Sequence, residues 1–322
     1  MSKPSEVSER LYHYTNWEGL LGILRDKTLW ATHYKFLNDY SEIGFLRNKL
    51  ISRLIPIVHK EYERFIKQSS HDKQKIIQKG RRNQVVQQYT ENVVDKLYGA
   101  TGHEFYILSF CGQHKKTHVI SNGLLSQWRG YGSDGGFALA FNTQKLDALL
   151  KMEVNLFNYN FGHFCDVIYS DDDNKFEKEL SPDLSIIAKA AILRLFFSPE
   201  KSRWQTIPKE ASDAYGPFVK CISRYKHCGF SEENEFRVVT LLDALDNGET
   251  VASKAEKERK FRLRNGQLVP YIELFKSLGI DLPIEKIIVG PHKEKETRTA
   301  ALSIMLRNTK IEITCSDIPY VG

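Results

Sequence analysis

The chain has 322 residues, of which 41% are hydrophobic and 27% charged, a balance typical of an ordinary soluble globular protein. It contains no run of about 18 consecutive apolar residues, and its polar N-terminus lacks the apolar stretch of a signal peptide. We therefore expect a cytoplasmic protein that does not enter a membrane. A net charge of +6 attracts phosphate groups but falls short of a nucleic-acid-binding signature.

Five scattered cysteines are present, and none of them belongs to a CxxC pair. An odd number without paired spacing predicts neither a disulfide framework nor a structural zinc site. We therefore expect no bound metal. The cysteines are Cys111, Cys165, Cys221, Cys228 and Cys315.

The first predicted elements are a short strand in LYHYT, an amphipathic helix in WEGLLGILRD and a second amphipathic helix after FLNDYSE. A polar helical stretch follows at about 50–98. Its apolar positions are sparse, so we expect it to be a surface insertion. The basic segment Lys73–Arg82 within it is a solvated helix face or, as an alternative, a nucleic-acid contact.

Strand patterns begin after Gly102. We interpret LLSQWRGYGSDGGFALAFN as strand–loop–strand with GSDGG as the turn, and the polar segment 241–266 as a mobile surface excursion. Strands and helices alternate without a regular βαβ period. This indicates an α+β fold with mixed sheets and flanking helices, and we predict one catalytic domain over residues 1–322. The other predicted strands are EFYILSFCG, HFCDVIYS, EFRVVTLL, VPYIELF, IEKIIVGP and the edge strand IEITCS, and the later helices are LSIIAKAAILRLFF and KEKETRTAALSIMLRN.

The first of three polar clusters is Tyr12-His13-Tyr14-Thr15. His13 and Thr15 alternate along a predicted strand, so their hydrogen-bonding groups should point to one side. The structural alternative is a core histidine with satisfied hydrogen bonds and a capping threonine.

The second cluster is Ser126-Gln127-Trp128-Arg129-Gly130-Tyr131. Aromatic rings stack on flat heterocycles, and arginine binds phosphate through two parallel hydrogen bonds. These residue types suit a nucleotide. The alternative is that Trp128 fills the core while Arg129 pairs with a carboxylate.

The third cluster is the segment Glu232-Glu233-Asn234-Glu235-Phe236-Arg237. Glu235 and Arg237 alternate with apolar residues, so one strand face should carry a carboxylate and a guanidinium. The alternative is a plain ion pair.

Together these motifs resemble a large bacterial family of domains of unknown function. The resemblance rests on His-Tyr-Thr near the start, Leu-Asn-Asp-x-x-Glu at 37–42, Ser-Gln-Trp-Arg-x-Tyr-Gly at 126–132 and Glu-x-Glu-aromatic-Arg at 233–237. It covers nearly the whole chain apart from about 50–98.

The order of the clusters is also distantly similar to ADP-ribosyltransferases of the His-Tyr-Glu type. This resemblance implies an ADP-ribosyltransferase-like core and NAD as substrate, with His13 at the NAD ribose, a tyrosine against nicotinamide and Glu235 at the reacting ribose. Tyr131 fills the middle position, with Tyr34 as the alternative. The remaining residues expected to contact NAD are Tyr14, Thr15, Ser126, Gln127, Trp128, Arg129 and Arg237.

The resemblance further implies transfer of ADP-ribose to RNA, DNA or protein, with nucleic acid favoured. The biological role by analogy is a toxin or phage-defence effector, with an antitoxin or other partner protein. Two alternatives use no NAD chemistry. One is a nucleic-acid-binding module, and the other is a metal-independent nuclease that uses Glu235, Arg237 and His13 as acid–base groups.

Overall fold

The computed structural model describes residues 3–37, 41–68, 82–101, 105–197, 213–242 and 254–319. The chain forms two compact units. The first unit comprises Met1–Leu37, Glu104–Val167 and Gly229–Gly322, and the second comprises Asn38–His103 and Ile168–Cys228.

The first unit is built on a mixed sheet that contains ten of the described strands. Adjacent strands of this sheet run antiparallel, except β11 and β12, which run parallel to each other. The strands are β1 Arg10–Thr15, β2 Leu29–His33, β3 Phe105–Gly112, β4 Phe137–Asn142, β5 Tyr159–Asp166, β8 Glu235–Leu242, β9 Lys260–Arg264, β10 Gln267–Leu274, β11 Ile284–Val289 and β12 Glu312–Cys315.

Helices of the first unit flank this sheet. They are α1 Pro4–Val7, α2 Trp17–Asp26, α5 Thr117–Asn122, α6 Leu125–Tyr131, α7 Thr143–Leu156 and α10 Lys295–Met305. Asn16 caps α2 by accepting from the N–H of Gly19, and Asn142 caps α7 by accepting from the N–H of Lys145.

Strand β3 pairs with three strands. β8 lies along one edge, from Phe105 opposite Leu241 to Cys111 opposite Glu235. Two strands share the other edge. β1 pairs with the last two residues of β3, and β2 pairs with Tyr106 and Ile107. The sheet therefore splits in two between β1 and β2.

The two faces of the sheet carry different cores. The first face holds the main apolar core, into which α2, α7 and α10 also pack. The second face carries a smaller cluster under α5 and α6, which contains Tyr12, Tyr14, Cys111 and the fully buried Trp128. Because side chains alternate along a strand, neighbours such as Leu11 and Tyr12 belong to opposite faces.

The second unit is mainly helical. It contains α3 Ser41–Gln68, α4 Arg82–Thr101, α8 Asp173–Phe197 and α9 Tyr215–Arg224, with the short parallel pair β6 Ile168–Tyr169 and β7 Tyr225–Lys226. Its helices pack around their own apolar core, which includes Leu50, Leu54, Val58, Val86, Val94, Leu180, Leu184, Ile187 and Phe218.

The predicted α+β class with a mixed sheet is confirmed. The described parts of the predicted helical stretch, 50–68 and 82–98, are helical, but many of their apolar residues are buried in a core shared with α8 and α9. An ADP-ribosyltransferase-like core and a single catalytic domain stay predictions.

Two local predictions were wrong. The segment 125–131 is helix α6 and no strand, because Leu124 and Trp128 lie one helical turn apart and both pack under it. Part of the supposed excursion at 241–266 is strand β9, which pairs with β10 through a two-residue turn at Asn265 and Gly266. Both turn residues have positive φ, as a type I′ hairpin turn requires.

Replacing Trp128 with alanine should destabilise the fold by roughly 3–5 kcal/mol, since its ring is fully buried. The ring also meets Tyr14 edge-on at 4.8 Å, and its N–H donates to the carbonyl of Asn122. Denaturant unfolding followed by circular dichroism measures the loss. Tyr131→Ala on the same helix is the control, because Tyr131 is 45% exposed; equal losses in the two variants would contradict the packing role.

Candidate functional site

The split in the sheet places His13 beside an open stretch of β3. His13 is the first residue of β1 beyond the part that pairs with β3, and its Nδ1 lies 3.3 Å from the carbonyl oxygen of Ser109. A carbonyl can only accept, so Nδ1 carries the proton and Nε2 is left as an acceptor. Ser109 itself is exposed, although both of its neighbours in β3 are buried.

Burial lowers the pKa of His13, and the positive charge of Arg262 lowers it further, while the bond to Ser109 acts in the opposite direction. The ring also meets Phe110 edge-on at 5.8 Å. His13 is therefore a neutral imidazole at neutral pH. Such a ring can accept a hydrogen bond from a ligand hydroxyl.

Glu235 and Arg237 form a buried ion pair on β8. Nε and one terminal nitrogen of Arg237 donate to the two carboxylate oxygens of Glu235 at 2.7 and 2.9 Å. Both residues lie on the second face, because Arg237 is opposite Ser109 and Glu235 is opposite Cys111. The predicted shared strand face for this pair is thus present.

Strand register assigns His13 and Glu235 to opposite faces of the sheet. His13 follows the parity of Leu11, which lies in the first-face core, whereas Glu235 follows that of Cys111. The imidazole instead lies at the split, against a carbonyl at the edge of β3. Its described contacts are with Ser109 and Phe110, and Glu235 is not among them.

The other residues of the first cluster have structural contacts. The hydroxyl of Tyr14 accepts from the N–H of Leu124, and burial raises the pKa of Tyr14. The Thr15 hydroxyl lies against Gly19 of α2, so closely that a Cβ at Gly19 would clash with it. These two side chains hold β1 to its neighbouring helices.

The second cluster is divided by its helix. Gln127 and Trp128 are buried, whereas Ser126, Arg129 and Tyr131 are exposed on α6. Since α6 covers the second face beside the Tyr14 end of β1, these exposed residues lie on the same side of the sheet as Glu235. They can contact a ligand there, whereas Trp128 serves the packing.

The two tyrosines considered for the middle position lie in different places. Tyr131 is half-exposed at the end of α6. Tyr34 is nearly buried in the turn after β2 and packs edge-on against Phe105 at 5.6 Å. Exposure favours Tyr131 as the residue able to reach a ligand.

Three second-face residues were missed in the sequence. Arg262 of β9 lies over the rings of Trp30 and Tyr271 and donates to the hydroxyl of Thr32 at 3.1 Å. Thr32 and Ser109 share this face through Ile107, which is opposite Thr32. The alternation of charged and apolar residues in Lys-Phe-Arg-Leu-Arg at 260–264 is typical of a strand and could have revealed β9. It lies inside a polar segment, which hid the pattern.

All five cysteines are free. Burial raises the pKa of the Cys111 thiol to about 12, and the nearby carboxylates Glu233 and Glu235 act in the same direction. A thiol in that state is a poor nucleophile at neutral pH. Within the described part of the chain, no group of three or more His, Cys, Asp or Glu side chains is placed to hold a metal ion.

Residues 127–238 match the family described as "Protein of unknown function (DUF2971)". The match confirms the predicted resemblance to a domain-of-unknown-function family, and the matched segment runs from α6 to Arg237 and Val238 of β8. No curated protein and no solved structure matches the chain. Among the described helices, none has the length and apolar character needed to cross a bilayer.

Arg237→Met should destabilise the protein by roughly 3–5 kcal/mol, because it leaves the carboxylate of Glu235 buried without its guanidinium. Adding Glu235→Gln should recover part of that loss by removing the charge. Unfolding midpoints of the two single variants and the double variant measure this coupling. Arg10→Met breaks the more exposed pair with Glu285 and should cost about 1 kcal/mol or less; additive effects at 235 and 237 would contradict the pairing.

Stability should fall as pH drops from about 7 to 5, and His13→Gln should reduce that fall. The folded-state pKa of His13 lies below the unfolded value of 6.5, so the unfolded chain takes up a proton first. The stability that neutral His13 contributes is present above pH 6.5, and it is lost as the pH decreases from there toward the folded-state pKa. Denaturant midpoints across this range test the variant against the wild type, and parallel profiles would show that His13 is not shifted.

Proposed function

We propose that the chain is an NAD-dependent ADP-ribosyltransferase-like enzyme that binds NAD as substrate on the second face, at the split between β1 and β2. The observation that supports this most strongly is the parting of two strands from one edge of β3 beside an exposed serine. The neutral imidazole of His13 lies at that point, and the ion-paired carboxylate of Glu235 is opposite Cys111, two residues after Ser109 on β3. Small-ligand sites typically combine a few well-placed polar groups with an apolar surround.

Glu235 is the proposed catalytic group. Breaking the nicotinamide–ribose bond leaves positive charge on the anomeric carbon, and a fixed carboxylate stabilises it. The same carboxylate can take the proton that the incoming nucleophile loses. Arg237 supports this role by fixing both carboxylate oxygens, at 2.7 and 2.9 Å. It is therefore a positioning residue in this scheme.

His13 is the proposed ribose anchor. Because Nδ1 donates to the Ser109 carbonyl, Nε2 is the atom available to accept from a ribose hydroxyl. A lowered pKa supports this role, since a protonated ring could not accept. Ser126, Arg129 and Tyr131 are the proposed contacts on the α6 side, with Tyr131 against nicotinamide.

The proposed acceptor is RNA, DNA or protein, with nucleic acid favoured, and the proposed role is a toxin or phage-defence effector controlled by an antitoxin or other partner protein. The basic segment 73–82 would assist with a nucleic-acid acceptor through its phosphates. Nearly all of that segment lies outside the described residues.

Labelled NAD incubated with the protein and cell lysate tests the reaction, and separate nuclease and protease digestion of the product identifies the acceptor. Glu235→Gln should lower label transfer or NAD consumption by about a hundredfold or more, the usual scale for a lost acid–base group. Glu285→Gln is the matched control, because Glu285 is also paired with an arginine but lies on β11. Wild-type activity in a folded Glu235→Gln variant, or a wild-type protein that leaves NAD intact, would refute the proposal.

A further inference from the structure

Strand β9 has an inverted pattern. Phe261 and Leu263 are 59% and 77% exposed. The cations that alternate with them, Lys260, Arg262 and Arg264, point toward the second face and are partly buried. A half-buried strand ordinarily turns its apolar residues inward and its charges outward. Here the cations occupy the inward positions, at the cost of leaving apolar side chains in water.

Arg262 is held but its charge is not neutralised. Its guanidinium carbon lies 5.0 Å from the ring centre of Trp30 and 5.7 Å from that of Tyr271, and one terminal nitrogen donates to Thr32. Its Nε is buried and has no acceptor. No carboxylate among the described residues contacts it. An arginine in this state has hydrogen-bonding capacity and positive charge left for a ligand.

The neighbouring charges make the contrast sharper. Lys260 on the same side of β9 is neutralised by Glu273 at 2.9 Å. Arg264 donates to the carbonyl of Phe36, and no described carboxylate contacts it. Burial and the charge of Arg264 both lower the pKa of Arg262. Several other arginines of this unit are ion-paired, among them Arg10 with Glu285, Arg237 with Glu235 and Arg298 with Asp134.

We infer that Arg262 and Arg264, with the Thr32 hydroxyl, form a binding site for a phosphoryl group on the second face of the sheet. Two adjacent guanidinium groups without carboxylates match a doubly charged oxyanion, since arginine pairs with phosphate through two parallel hydrogen bonds. Aromatic rings behind Arg262 fix its plane before the ligand arrives. The ligand class is a phosphate ester or diphosphate, and the site does not depend on any reaction at Glu235.

Isothermal titration of the full chain with inorganic pyrophosphate and with ADP-ribose tests this site. Arg262→Gln should weaken pyrophosphate binding by about tenfold or more, the scale of one lost charge-assisted hydrogen bond. Arg262→Lys keeps the charge but not the paired donors, so it should fall between the wild type and Arg262→Gln. Arg307→Gln is the matched control, because it removes the same charge from an exposed position after α10 and should change affinity less than about twofold.

The ADP-ribose arm identifies the source of the phosphoryl group. If Arg262→Gln weakens the binding of both ligands equally, the site takes a nucleotide diphosphate. If it weakens the binding of pyrophosphate alone, the site takes a smaller phosphate. Pyrophosphate binding by the wild type needs no turnover of NAD, so failure of the transferase reaction leaves this result unaffected. No pyrophosphate binding by the wild type, or equal affinities of the Arg262→Gln and Arg307→Gln proteins, would overturn the inference. Arg264→Gln repeats the test should Arg262→Gln not fold.

Discussion

The pairing of β3 with three strands is the constraint on which the arrangement of the candidate site depends. One edge of β3 is fully used by β8, while the other is shared end to end by β1 and β2. Two strands that share one edge cannot both continue along it, so they diverge and leave the middle of β3 without a partner there. Backbone groups in such a gap need other hydrogen bonds. The imidazole of His13 supplies one of them, to the carbonyl of Ser109.

The divergence also decides which side chains can act together. β8 carries its ion pair to the second face, α6 borders that face on the β1 side, and the arginines of β9 border it on the β2 side. His13 belongs by parity to the first face, yet its ring lies at the gap. Only at such a gap can residues of opposite parity serve one ligand, because elsewhere the sheet separates them.

Sequence patterns predicted the strands with clear apolar runs, such as β3, β8 and β11, and the alternation that pairs Glu235 with Arg237. They failed at α6, where aromatic and glycine content favoured a strand although Leu124 and Trp128 had helical spacing. They could not predict that β1 and β2 meet one strand, since pairing between distant segments leaves no local pattern. Arg262 was missed for a related reason, because only tertiary structure shows that a charged residue has no carboxylate beside it.

The turn at Asn265 and Gly266 has a consequence for the hairpin it closes. Shifting β9 by one residue along β10 would exchange the two faces of the strand. Phe261 and Leu263 would then point to the second face, and Arg262 and Arg264 would point away from it. Hydrophobic burial alone would favour that alternative. A two-residue loop with positive φ at both positions permits only one alignment of the strands it joins. The backbone torsions of two uncharged residues thus decide which face of the sheet this strand makes electropositive.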